Sequence, residues 1–536
     1  MDRRVYALVA VVFGLALGII GNVLFYNRML GLSVPLYVLL LTAALFAFKQ
    51  ITGQATLRRN LWLFVPLIFF AVMVAVRADE TITFLNLAAV LALTMLIAHY
   101  FPLANAFDRD PLAAHLIALI ETGVTTVFMP VDQIIQSGRW IRQNRPLHGR
   151  GVSSVVRGLL LAVPIVVVFG LLLASADEVF AQYINQVTAL FQFRGVEALF
   201  EQSVIVGFFA WFACGGLAYA VLKRPTARYV QVGDQAAQEL PAEEEAPAAP
   251  KGKKRAFTLN LVEAGIVLGS VVGLFGVFVL IQFAYFFGGQ SNISLDGFTY
   301  AEYARRGFFE LVAVSMLTLA LMLWLDYVTI RQQGMQQRVF RGLALGIVAL
   351  TGVMLWSAHL RLSLYEEVYG YTHLRLYPHV FMGWLAVLYG FFLLMLFRVR
   401  PNVFSLGVVI CVIGYLGTLN LINVDYTIMR QNIDRYRAGH ELDIGYLRNV
   451  SEDAIPALLP FYLEVPEDAP IRYGIGQWLR REYMVLDGQR GDFSVIEAHA
   501  GRDMAWALLS AAADRLPEFD PNYSLPYSDT YADFSR

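Results

Sequence analysis

The polar residues able to do chemistry gather in three stretches beside apolar runs. The first, TYAEYARRGFFEL at 299–311, sets Glu302, Arg306 and Glu310 at i, i+4 and i+8, with Arg305 alongside. That spacing lines one helix face, where a mixed stripe can bind an anionic group or pair with another helix. The plainer reading, and the weightier one, is a set of interfacial ion pairs worth about 0.3–0.5 kcal/mol each. The second stretch, HLRLSLYEEVYGYTHLRLYPH at 359–379, crowds His359, His373 and His379 with Arg361, Arg375, Glu366, Glu367 and several tyrosines. Convergence of the three histidines with a glutamate would make a metal site. Their separations of 14 and 6 residues match no familiar zinc spacing. No metal and no other cofactor is expected, because tyrosines and cations also compose the aromatic belt at a membrane edge. The third stretch, NLINVDYTIMRQNIDRY at 420–436, places Asn420 and Asn423 near the end of an apolar run and Asp425 just beyond. Asn in a span is first of all glue between helices. Asp425, Arg430, Asp434 and Arg435 read as an exposed, mixed-charge helix start.

The elements that must position these stretches are membrane spans. Of 536 residues, 57% are hydrophobic and 15% charged, against roughly 25% charged in soluble domains. The mean hydropathy is +0.56, and the apolar residues come in uncharged runs rather than the periodic scatter of a soluble core. A bilayer core about 30 Å thick needs roughly 20 helical residues. Eleven runs qualify: 5–25, 29–48, 61–76, 81–98, 158–176, 202–222, 264–287, 307–327, 342–360, 378–397 and 402–424. The weakest is 61–76, bounded by Arg59 and Arg77. The first run exceeds a signal-peptide core and lacks an A-x-A-like site, so it reads as a retained anchor. The fold class is therefore all-α, a polytopic bundle of about 11 spans with a small helical tail.

Loop charge orients the bundle. With the N-terminus inside, 23 basic residues fall inside and seven outside, as the positive-inside bias requires. The run 112–131 is also apolar enough to span. A crossing there would move Arg139 to Arg157 and the KGKKR of 251–255 outside, so a re-entrant or interfacial helix pair near 107–150 is expected. Domains follow: a first membrane half at 1–230, a disordered acidic and basic linker at 231–256, a second half at 257–425, and a soluble helical tail at 426–536. Within the tail, Pro466 is expected to start one helix and 494–516 to form another.

Cys214 and Cys411 both sit in apolar runs and read as packing. Gly265, Gly269 and Gly273 form a small-residue ridge, and Gly14 with Gly18 a shorter one. No P-loop, dinucleotide fingerprint, nucleophile elbow or zincin motif occurs. A net charge of −1 excludes nucleic acid as the expected partner. The expected partners are the lipid bilayer and a protein or second copy of the chain.

The pieces AEYARRGFFEL (301–311), RLSLYEEVYGYTHLRLY (361–377), NLINVDYTIMRQNIDRY (420–436) and LDIGYLRNVSEDAIPALL (442–459) resemble a bacterial membrane-protein family. It is known as domain-of-unknown-function family 4173, close to family 4153; ASADEVF at 174–180 fits too. The resemblance covers about 150–460 and implies a bacterial polytopic protein without supplying activity, cofactor or catalytic residue. The linker and the residues beyond about 465 look particular to this chain. Two classes of function remain. One is a non-enzymatic protein of the bacterial cytoplasmic membrane that docks or senses a partner through outer loops and tail. The other is a transporter or membrane-embedded transferase, with a pocket at outer span ends around 302–310, 359–379 and 420–425.

Overall fold

A computed structural model describes residues 3–53, 58–101, 107–144, 196–222, 259–287, 308–330, 334–399, 402–490 and 494–526. Among the described residues there is no β-strand, only the isolated bridge Leu259–Thr329. The helices are α1 Arg3–Phe25, α2 Ser33–Thr52, α3 Phe64–Met73, α4 Glu80–Tyr100 and α5 Leu112–Asn144. There follow α6 Val196–Leu222, α7 Leu261–Phe287, α8 Phe308–Val328, α9 Met335–Tyr369, α10 His373–Leu396 and α11 Val403–Ile422. The tail holds α12 Val424–Arg437, α13 Ile455–Glu464, α14 Pro470–Gln489 and α15 Ala500–Ala511. Ten of the described helices, all those from α1 to α11 except α3, are long and apolar enough to cross a membrane. Their outer faces carry large apolar side chains such as Phe84, Leu280 and Leu317, each more than two-thirds exposed. Lipid is the solvent for such faces. The chain is an all-α, multi-pass integral membrane protein.

Two expected elements differ. The run 61–76 is a 3-10 turn, Arg58–Leu63, leading into the ten-residue α3. Pro66 lies in the first turn of α3, where its missing N–H costs nothing, so the α-helix starts there and not at 61. Turn and helix together extend about 27 Å. The segment near 107–150 is not a helix pair: α5 runs unbroken through Pro130, and its length and composition admit a crossing. Breaking a helix in apolar surroundings would strand backbone groups, which favours continuity. The run 158–176, ASADEVF and the linker lie outside the described residues.

The chain divides into two compact units, one of 1–68, 91–106 and 116–231, the other of 69–90, 107–115 and 232–536. The second unit thus takes two pieces from the first half of the sequence, a division finer than the linker alone suggested. In the first unit, α1 and α6 pack antiparallel along Gly14 and Gly18. A methyl group at Gly14 would lie 2.6 Å from Cys214 Cβ, and one at Gly18 2.5 Å from the Val206 carbonyl oxygen. The shorter glycine ridge is therefore a packing seam.

In the second unit, α7 to α10 share a core that includes Met322, Phe340, Ile347, Leu362, Tyr365 and Phe392. α11 packs on α10, with Gly407 and Gly414 under Phe391 and Trp384. The tail has a core of its own around Ile455, Leu458, Leu479 and Leu509. Its second long helix starts at Pro470, not Pro466, because residues 466–469 form the turn that precedes it. Within 494–516, α15 sits between 3-10 turns at Val495–Glu497 and Ala513–Arg515. At the start of α11, Asn402 donates to the Arg109 carbonyl. At its end, Arg77 Nε donates to the Asn420 carbonyl at 2.7 Å. Residues 77–79 and the tail therefore share one end of this unit, and Arg109 with Asn402 the other.

Candidate polar site where helix starts meet the tail

Three helices begin at the tail end of the second unit, and each brings a side chain to one point. Asp79 precedes α4, and its Oδ1 accepts the Ile82 N–H at 2.7 Å, the bond of an N-cap. His373 is the first residue of α10, following the buried Thr372. Asn423 holds φ at +49° between α11 and α12, with its side chain accepting the Tyr426 N–H. That left-handed residue lets the chain turn sharply, and the turn carries Asp425 inward. Asp425 is 1% exposed. The exposed helix start expected from its neighbours is thus corrected: the turn at Asn423 buries Asp425, while Arg430 and Asp434 stay outside.

His373 Nε2 lies 2.7 Å from Asp425 Oδ1 and 3.4 Å from Asp79 Oδ2. On the other side of the ring, Nδ1 is 2.8 Å from Tyr446 Oη, which also accepts the His373 backbone N–H at 2.9 Å. Asp425 Oδ2 accepts both the N–H of Ser451, at 2.8 Å, and its hydroxyl, at 2.5 Å. Burial pushes the Asp79 carboxyl up, but His373 and the N–H groups of Ile82 and Thr81 outweigh it and hold it below the usual carboxylate range. Such a cluster can hold one proton between two carboxylates, or a cation in its place.

Further buried hydrogen bonds surround these residues and join the tail to the helix starts. Asn86 and Asn420 exchange amide hydrogen bonds at 2.9 and 2.8 Å, both residues being buried. Asp453 accepts the Ala78 N–H at 3.0 Å, and burial pushes its carboxyl up to about 7. His499 Nε2 donates to the Arg77 carbonyl at 3.2 Å, while its Nδ1 accepts the Arg502 N–H and so caps α15. Burial, helped by the Arg502 charge, brings that imidazole down to about 4.

The three histidines of 359–379 do not converge. His379 Nε2 lies 2.7 Å from His359 Nδ1, and His379 Nδ1 3.0 Å from Glu366, so these form a separate chain between α9 and α10. The buried Arg375 donates to the carbonyls of Tyr369 and Gly370 and lies 4.2 Å over the Tyr365 ring. It closes the end of α9. Arg435 completes that closure by donating to the carbonyls of Glu367 and Val368. Gly370 holds φ at +86° there, a backbone conformation that glycine adopts far more readily than residues with a side chain. Arg361 is buried on α9, and Glu310 is exposed on α8. Glu302, Arg305 and Arg306 lie outside the described residues.

Of the residues singled out in the sequence, the structure brings His373 and Asp425 together with Asn420 nearby, while Asp79, Tyr446 and Ser451 were not among them. A signal existed for two of them. Asp79 directly precedes the apolar run of α4, and Ser451 opens SEDA before α13, both at N-cap positions. Spacing within 359–379 could not have brought in Asp79, which stands far from His373 in sequence.

A family model described as a domain of unknown function (DUF4153) matches residues 64–460, which include Asp79, His373 and Asp425. It is the second of the two related families named above, and the match reaches back well beyond residue 150. No curated protein and no solved structure matches the chain.

Proposed function

The chain belongs to the family described as a domain of unknown function, DUF4153, and on that premise we propose that it is a non-enzymatic envelope protein that docks or senses a partner through its tail. The observation that carries this reading is how the tail is built. It has its own core, it is fastened to the helix starts by buried hydrogen bonds, and it opens a cavity of about 530 Å³. Arg448, Trp478, Arg481, Glu482 and Phe519 line that cavity. Such a size and such a mixture of apolar and charged walls suit a peptide segment. Trp478 belongs to α14, which packs on α15, and the His499 cap of α15 grips the Arg77 carbonyl. An occupant of the cavity therefore has a packed route to the membrane helices. The excess of basic residues on one set of loops supports a bacterial cytoplasmic membrane location with the N-terminus inside and the tail outside.

The test is a photo-crosslinking residue at Arg448 in the full chain in cells. We expect a discrete protein adduct that Trp478→Ala weakens severalfold, and no protein adduct from the same probe at Trp356 on the exposed face of α9. The mass of the adduct tells a second copy from another protein. Absence of an adduct at Arg448, or one indifferent to Trp478→Ala, sinks the reading.

One observation favours the transporter or transferase reading instead. His373 and Asp425 join two of the three polar stretches, and His359, His379 and Glu366 form an ionisable chain between membrane helices. Liposomes holding the protein and a pH-sensitive dye test the transport arm. Proton movement lost in His379→Gln would support it, and vesicles equally tight with either protein would remove it.

A further inference from the structure

We infer that Asp79, His373 and Asp425 form a binding site for one divalent transition-metal ion, such as Zn²⁺ or Mn²⁺. The inference is independent of the docking reading above. Its first support is convergence: one ligand atom from each residue lies within 4.8 Å of the others, and the three residues come from three different helix starts. The second is a shortage of protons. The Asp79 Oδ1 and Asp425 Oδ2 atoms are taken up by backbone N–H groups and the Ser451 hydroxyl. The remaining oxygens, Asp79 Oδ2 and Asp425 Oδ1, both face the same ring nitrogen. A single Nε2–H points at one of them, Asp425 at 2.7 Å, and leaves Asp79 at 3.4 Å without a straight bond. Three lone-pair atoms thus share one proton.

Charge gives the same answer. Two buried carboxylates beside one imidazolium leave a net negative charge, whereas a divalent ion with neutral imidazole balances it. The starts of α4, α10 and α12 offset part of that charge through their dipoles, which points to moderate rather than very tight affinity. Geometry agrees as well. Ligand atoms about 2.0–2.1 Å from a tetrahedral ion stand roughly 3.4 Å apart. The Asp79 to His373 distance already has this value, and the Asp425 contact must open by about 0.7 Å. The outer contacts of a metal site are also present. Nδ1 of His373 faces Tyr446 Oη, which fixes the ring, and Ser451 fixes the Asp425 carboxylate. The His373 and Asp79 side chains are 15% and 10% exposed, so an ion has a way in. One imidazole and two carboxylates suit zinc or manganese better than copper(I), which prefers sulfur.

The experiment uses the full chain purified in detergent, dialysed against Zn²⁺ and separately Mn²⁺, with bound metal measured by elemental analysis. Co²⁺ serves as an optical probe of the ligand set. One ion per chain is expected, with Asp79→Asn and Asp425→Asn each weakening binding about tenfold or more and Ser451→Ala by about tenfold. His359→Gln, which alters the other histidine pair, should leave binding unchanged. If Asp425→Asn does not fold, Asp79→Asn and Ser451→Ala carry the comparison. Failure of the wild-type chain to retain metal overturns the inference. So does retention by Asp79→Asn with loss in His359→Gln.

Discussion

His499 and Asp453 hold the same short turn, residues 76–79, and burial moves them in opposite senses. His499 is neutral in the folded chain because Nδ1 accepts an N–H and Nε2 donates. Its affinity for a proton falls to about 4, so the unfolded chain protonates first as the pH drops. The stability from His499 is complete above about 6.5 and is lost as the pH falls toward 4. Asp453, pushed up to about 7, behaves in reverse. Its contribution is complete below about 3.8 and is lost as the pH rises through 7. Asp453→Asn keeps an acceptor for the Ala78 N–H without the charge. Thermal unfolding in detergent should therefore find this variant at least as stable as the wild type at pH 8, with the difference shrinking as the pH falls and vanishing only below about pH 4. A variant clearly less stable at pH 8 would mean that the folded carboxylate is favourably ionised.

At the scale of elements, glycine does different work on different helices. A methyl at Gly414 would lie 2.0 Å from Trp384 Cη2, at the seam between α10 and α11. Trp384 is itself fixed by a hydrogen bond to Thr418 at 3.0 Å, so it cannot easily yield. Gly414→Ala should cost about 1–3 kcal/mol by overpacking. Gly269 on α7 meets nothing within 4 Å, and Gly269→Ala should be neutral or stabilising by up to about 1 kcal/mol. Comparing the two variants in one thermal-unfolding series checks the seam. Equal effects would place the α10–α11 contact in error. The expected ridge of Gly265, Gly269 and Gly273 thus has no neighbour among the described residues, whereas the pair at Gly14 and Gly18 does.

For the whole molecule, the open question of the sequence was the count of crossings. Eleven crossings from an inside N-terminus put the tail outside. The contacts of the second unit group residues 77–79 with the tail and Arg109 with Asn402. Within this unit, residues 77–79 and Arg109 thus stand at opposite ends. A compartment-sensitive reporter fused after residue 536 should be active only on the outer side. An inner signal would refute the count of eleven; because residues 77–79 share an end with the tail, the error would then lie before Arg77, at 61–76 rather than at 112–131.

What the sequence determined by itself was the solvent of this protein. Uncharged runs of about 20 residues have one stable setting, a helix in lipid, because no other local structure satisfies its backbone there. Nine of the eleven expected runs are such helices among the described residues, with ends moved by a few positions. Of the other two, 61–76 is shortened because Pro66 sets the start of α3, and 158–176 lies outside the described residues; the run 112–131, not counted among the eleven, belongs to the unbroken α5. The candidate site was only half legible. His373 and Asp425 stood out as polar residues beside spans, but Asp79, about 290 positions before His373, did not. Spacing along a chain reports neighbours on one element, whereas this cluster is made where three helices start at the same end of a bundle. Only the packing of α4, α10 and α12 against the tail decided that Asp425 is buried and which histidine it meets.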